Sequence, residues 1–147
     1  MNPITTLAEL EAMVESNNNA LAVRFEPLHV PQPHFVLTMK SLAFCSFDTA
    51  KILCSMSWGK YQIMGDVLVS LGLNISPLAY IHDNAMQDDF FHRFIAADHL
   101  QMDLVDILTN PTKRALFARL YNGPGNIAAY EARMISVAKT AGLQVML

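Results

Sequence analysis

Apolar residues near the start of the chain fall at helical spacing. Leu7, Leu10, Met13 and Val14 make one stripe, the pattern of an amphipathic helix. Thr6-Leu7-Ala8-Glu9 in front of it reads as a capping box, with Thr6 as N-cap and Glu9 three positions on. Ser16-Asn17-Asn18-Asn19 stops the helix, because Ser and Asn side chains divert the backbone into turns. Ala20 to Phe25 is a short β-like run. Pro27, Pro31 and Pro33 then predict loop from Glu26 to His34. Phe35 to Phe47 is apolar, and its periodicity does not choose between strand and helix. Asp48 is the expected N-cap of a helix over Thr49 to Ser55. Ser57 to Gly65 reads as a turn or short ribbon. It enters a helix continued by Val67, Leu68 and Leu71 and ended by Gly72.

The second half is more regular. Asp83 is placed to cap a helix reaching about Leu100, with Phe90, Phe91, Phe94 and Ile95 on a broad apolar face. A helix over Leu104 to Leu108 stops at Asn110-Pro111. Another covers Thr112 to Leu120, with Leu116, Phe117 and Leu120 expected inward. Asn122-Gly123-Pro124-Gly125 is a strong break. Ile127 to Ala141 forms the last helix, closed by Gly142. The pattern contains no repeat or linker, and it predicts one mainly α domain over residues 1–147 with a little β.

Composition narrows the class. With 52% hydrophobic and 16% charged residues the chain buries a core. A net charge of −3 gives no electrostatic reason for a nucleic acid or anionic-membrane partner. No apolar run approaches the ~20 residues of a membrane span, and Met1 to Thr6 lacks the basic and apolar regions of a signal peptide. Cys45 and Cys54 make no CxxC pair and read as free thiols. His29, His34, His82, His92 and His99 have no ligand spacing. His92 and His99 would share a helix face ~10 Å apart along the axis, too far to hold one ion. No metal and no cofactor is expected.

Three segments carry candidate chemistry. Ser57-Trp58-Gly59-Lys60-Tyr61-Gln62-Ile63-Met64-Gly65 is polar, bounded by Gly, and holds the single Trp. Gly59 would let the backbone approach a ligand closely. Tyr61 and Gln62 offer hydrogen bonds to sugar hydroxyls and amides. Trp58 either stacks on a sugar face or anchors the core. The segment has no carboxylate, and breaking a glycosidic bond needs a proton delivered by an acid. Glu15, in the last turn of the first helix, supplies one. The helix dipole there disfavours a carboxylate by a few tenths of a kcal/mol, so helix stability does not ask for it. Tyr121-Asn122-Gly123-Pro124-Gly125 is the third segment. A helix C-cap accounts for its Gly and Pro but not for its Tyr-Asn pair.

In this order the segments resemble the phage endolysin N-acetylmuramidase family, which is lysozyme-like and also similar to lytic transglycosylases. The matching residues are Glu15-Ser16, Phe25-Glu26, Ser57 to Gly65, and Tyr121 to Pro124. The family pattern has Gly residues after Glu-Ser and Gly-His after Phe-Glu. Here Asn17-Asn18-Asn19-Ala20 and Pro27-Leu28-His29 stand in those places.

The resemblance implies an α+β lysozyme-like fold, a helical lobe with a small β element beside a cleft, and cleavage of the β-1,4 bond between N-acetylmuramic acid and N-acetylglucosamine. It implies Glu15 as general acid and Glu26 as second carboxylate, with Asp48 and Asp66 as fallbacks. It implies Ser57, Trp58, Tyr61, Gln62, Tyr121 and Asn122 as substrate-binding residues. Carboxyls ~5 Å apart imply retention of configuration and ~6.5–9.5 Å inversion. A single-acid site implies a lytic transglycosylase forming a 1,6-anhydro sugar. A third reading is a non-catalytic virion or tail module. The expected partner is the peptidoglycan strand, with a phage tail or baseplate protein if the particle carries the domain. The place of action is the wall, after synthesis in the host cytoplasm.

Overall fold

A computed structural model describes residues 4–97 and 102–147. The architecture is mainly helical with one small antiparallel sheet, as the sequence pattern predicts. Helix α1 (Leu7–Ser16) opens with the expected capping box. The Thr6 hydroxyl accepts from the Glu9 amide, and the Glu9 carboxylate accepts from the Thr6 amide. It closes on Asn17 in the left-handed conformation (φ 57°), which Asn tolerates better than most residues. Leu7, Leu10, Ala12 and Val14 are buried, and Glu11 is buried among them.

Strand β1 (Val23–Phe25) pairs antiparallel with β2 (Met56–Trp58), which pairs with β3 (Ile63–Met64). Arg24 stands opposite Ser57, and Trp58 opposite both Val23 and Ile63. The Ser57–Gly65 segment is therefore a β-hairpin that runs directly into α4 (Gly65–Ser70).

Between β1 and β2 the chain makes a helical hairpin, α2 (Pro33–Ala43) and α3 (Phe47–Cys54). This resolves the ambiguous apolar stretch as helix, started by Pro33 at the first helical position, where its missing N–H costs nothing. The expected cap of α3 is corrected. Ser46 is the N-cap, its hydroxyl accepting from the Thr49 amide, and Asp48 lies in the first turn. Val36, Met39, Ala50 and Cys54 form a small cluster of their own. Cys45 and Cys54 are free thiols, and burial pushes the Cys54 thiol up to about 12.

The larger lobe holds α5 (Pro77–Tyr80), α6 (Asn84–Ala97), α7 (Leu104–Thr109), α8 (Pro111–Asn122) and α9 (Ile127–Thr140), with a 3-10 turn at Pro124–Asn126. The α5 turn carries too short a pattern to be read from sequence. Asp83 accepts from the Met86 amide as predicted. The predicted end of α6 near Leu100 lies outside the described residues. The main core joins α1 to this lobe through Leu10, Val14, Phe91, Ile107, Phe117 and Met134. In α8, Phe117 is buried as expected, but Leu116 and Leu120 are 44% and 42% exposed, against the inward placement expected of them.

Candidate active site

Glu15 sits half-buried in the last turn of α1. Burial raises its carboxyl above the usual range. The Tyr130 hydrogen bond and the positive charges of Arg24 and Arg133 act against that rise, and the negative charge of Glu26 adds a little to it. The balance favours a carboxyl that holds its proton longer than an exposed one, as a general acid requires. Tyr130, on α9, approaches Glu15 Oε1 at 2.5 Å and Glu11 Oε2 at 2.5 Å. Glu11 is fully buried, and desolvation pushes its carboxyl up to about 8.

The hairpin is tied to the end of α1 from several sides. Ser16 Oγ donates to the Lys60 carbonyl at 2.9 Å. The Gly59 amide donates to the Ala22 carbonyl at 2.8 Å. Gln87, fully buried on α6, accepts from the Lys60 amide and donates to the carbonyls of Ala20 and Ile81. One amide side chain thus joins α6 to the hairpin loop and to the segment before β1. Gly59 has φ 75°, and a Cβ there would stand 2.4 Å from Gln87 Oε1. The close approach expected of Gly59 is therefore to Gln87, not to a ligand.

The motif residues divide by position. Trp58 is 1% exposed and donates its indole N–H to the Leu53 carbonyl at 3.0 Å, which makes it a core anchor with no free face for a sugar. Ser57 is buried, 2.9 Å from Gln62 Oε1. Gln62, at φ 51°, turns its amide inward to the carbonyls of Gly59 and Ala22. Tyr61 stacks on Phe91 with centroids 4.5 Å apart and donates to Asp88. Tyr121 donates to the Tyr61 carbonyl at 2.8 Å and stacks on Phe117 and Tyr130. Asn122 is exposed.

Tyr61, Gln62, Tyr121 and Asn122 line one cavity of about 490 Å³, with Met64, Leu71, Phe94 and Leu120 among its apolar walls. Glu15 is not in that lining. It connects to the cavity through Tyr130 and Tyr121, which is a cavity wall.

Glu26 pairs with Arg24 Nε at 2.5 Å and is part-exposed. Its charge is felt at Glu15. Asp66 is held elsewhere, 2.7 Å from His29 Nε2 and bonded to the Val67 amide in the first turn of α4. Asp48 is exposed on α3. Neither fallback carboxylate bonds to Glu15 or Tyr130. His99 lies outside the described residues.

Sequence reasoning passed over Glu11, Tyr130 and Gln87. Glu11 carried a signal: residues 7, 11 and 14 share a helical face, so a carboxylate stands inside the apolar stripe, four residues before Glu15. Tyr130 likewise shares the buried face of α9 with Met134 and Ala138.

The chain has counterparts among known proteins. The model of the N-acetylmuramidase family matches residues 40–141, and the chain belongs to that family. The match takes in the hairpin and the Tyr121-Asn122 turn but begins after Glu15 and Glu26. Over 133 residues the chain is 29% identical to the endolysin of Enterobacteria phage PRD1, an alignment covering 84% of this chain and 89% of that protein. No solved structure matches.

Proposed function

We propose that the protein is a peptidoglycan-degrading glycosidase that cleaves the β-1,4 bond between N-acetylmuramic acid and N-acetylglucosamine, with Glu15 as general acid. The single observation that carries this reading is the setting of Glu15: half-buried, raised above the ordinary carboxylate range, hydrogen-bonded by Tyr130, and tied through Ser16 to the hairpin. In the reaction the Glu15 proton passes to the glycosidic oxygen as the bond from that oxygen to the sugar carbon breaks. Tyr61, Tyr121, Gln62 and Asn122 form the sugar-binding wall, while Ser57 and Trp58 support it from behind. Glu26 is the second carboxylate, stabilising positive charge or activating water.

The relative named endolysin supports a role in phage lysis, with the cell wall as the place of action. Among the described residues no helix is long and apolar enough to cross a membrane. Entry through a pore made by another protein, or carriage by a virion, is the route to the wall that goes with this reading.

The Arg24–Glu26 pair favours a second reading at the same bond. A Glu26 occupied by Arg24 is less available to activate water, as in a lytic transglycosylase that works with one acid and leaves a 1,6-anhydro end. Digestion of purified peptidoglycan, with products identified by mass, tests both. We expect reducing ends from wild type and a loss of at least a hundredfold in Glu15→Gln. Anhydro ends would establish the transglycosylase. An undiminished Glu15→Gln would remove Glu15 from the mechanism, and near-normal turnover by Glu26→Gln would remove Glu26.

A further inference from the structure

Tyr130 Oη stands 2.5 Å from a carboxylate oxygen of Glu11 and 2.5 Å from one of Glu15. A phenol carries one hydrogen, and an ionised carboxylate carries none. Two O···O contacts this short need two hydrogens, so one of the two carboxyls must be protonated and donate to Tyr130. Two arrangements satisfy the count. In one, Glu11 donates to Tyr130 and Tyr130 donates to Glu15. In the other the chain runs in reverse, and the proton of Glu15 is spent on Tyr130.

The surroundings choose between them. Glu11 is fully buried, and its Oε1 is without a hydrogen-bond partner among the described residues. An anion there would leave a charged oxygen bare in an apolar core, which costs far more than a bare carbonyl of a neutral acid. Glu15 is less buried and faces the positive charges of Arg24 and Arg133. We propose that Glu11 is a positioning residue for the acid: it stays a neutral carboxyl and donates to Tyr130, which commits the single Tyr130 hydrogen to Glu15 Oε1 and leaves the transferable proton of Glu15 on its other oxygen.

When Glu15 gives up that proton, the hydrogen needed to hold the resulting anion is already in place. Tyr130 needs no reorientation, which is the benefit of a preorganised donor. The charged and titratable groups around Glu11 are Glu15 on its own helix, Tyr130 and Arg133 on α9, and Tyr121 on α8; around Glu15, Arg24 and Glu26 join them from the β1 side. Glu15, less buried and facing Arg24 and Arg133, loses its proton before the fully buried Glu11, whose carboxyl the new charge then raises further.

This inference rests on Glu15 being the acid, and it is tested in two independent ways. The first is infrared spectroscopy of the protein at neutral pH, read at the C=O stretch of protonated carboxyls, and it needs no turnover. The band is expected in wild type and in Glu15→Gln, and is expected to lose intensity in Glu11→Gln. A Glu11→Gln spectrum equal to that of wild type, or a Glu15→Gln spectrum without the band, overturns the proposal.

The second is the alkaline limb of kcat/KM. The active form holds both protons, so the wild-type rate falls by about one decade per pH unit and steepens to about two above the Glu11 ionisation. Glu11→Gln keeps a donor for Tyr130, retains activity within a few-fold at slightly acid pH, and falls by about one decade throughout. A wild-type limb that stays at one decade up to pH about 10 overturns the proposal even if Glu11→Gln fails to fold. If wild type cuts no peptidoglycan, the functional reading fails, and the infrared result alone decides the protonation of Glu11.

Discussion

Tyr130 shows how much one atom can determine. Its hydroxyl is the only hydrogen-bond partner described for Glu11 and for Glu15. Tyr130→Phe should therefore lower kcat at least tenfold with KM changed by less than a factor of three, measured on soluble glycan fragments, because it touches the acid and not the sugar. Gly59 is the other sensitive position. Gly59→Ala must accept a left-handed φ, at about 1–2 kcal/mol for an L-residue, and push Gln87 from the hydrogen bonds it makes. A fall in urea midpoint with the slope retained is the expected result. At this scale Glu15 drew notice in sequence because no structural need explained an acid at a negative helix end, and the fold adds its half-burial and its Tyr130 contact. Trp58 and Ser57, expected at the substrate, are buried behind the cavity, and Gln62 lines it with its amide turned to the backbone, for a physical reason. An indole or amide inside a hairpin is spent on the core or on its own backbone, and sequence does not say which way a side chain points.

Elements are set by their ends as much as by their faces. The capping box of α1 was visible as a short motif, and the folded chain uses it as predicted. Pro33 and Pro111, read as loop and as a helix stop, instead open α2 and α8. The cap of α3 was displaced by two residues, since Ser46 and Asp48 are both good caps and only backbone geometry selects Ser46. Ser46→Ala should cost about 1 kcal/mol, while Asp48→Ala should cost less than half as much, by chemical denaturation of both variants side by side. In α8 the periodicity of Leu116 and Leu120 was read correctly as apolar and wrongly as core. Leu120 instead walls the cavity beside Tyr121, and an apolar wall and an apolar core leave the same mark on a sequence. The α2–α3 hairpin packs through a small cluster separate from the main core. Its amides should exchange hydrogen sooner than those of α1 and α9.

For the whole molecule the buried acids set a pH dependence of stability. Glu11 is raised in the folded state to about 8, above its unfolded value near 4.3. The folded chain therefore binds more protons than the unfolded one between these values, and stability falls as pH rises through that window. Glu15, also raised, adds in the same direction. Melting temperature followed from pH 5 to 8 should drop by several degrees in wild type and by clearly less in Glu11→Gln. The family and the mainly helical plan were readable because the informative segments keep their order along the chain. The cluster of Glu11, Glu15 and Tyr130 was not, because Tyr130 stands more than a hundred residues from the two acids and meets them only after folding.

That separation has a consequence in time. Helix α1 leaves the ribosome more than a hundred residues before α9. Until α9 docks, Glu11 and Glu15 are two solvated carboxylates with ordinary acidity, without the burial and the Tyr130 contact that set them apart in the fold. The Glu11–Glu15–Tyr130 cluster is therefore assembled only when α9 closes over α1.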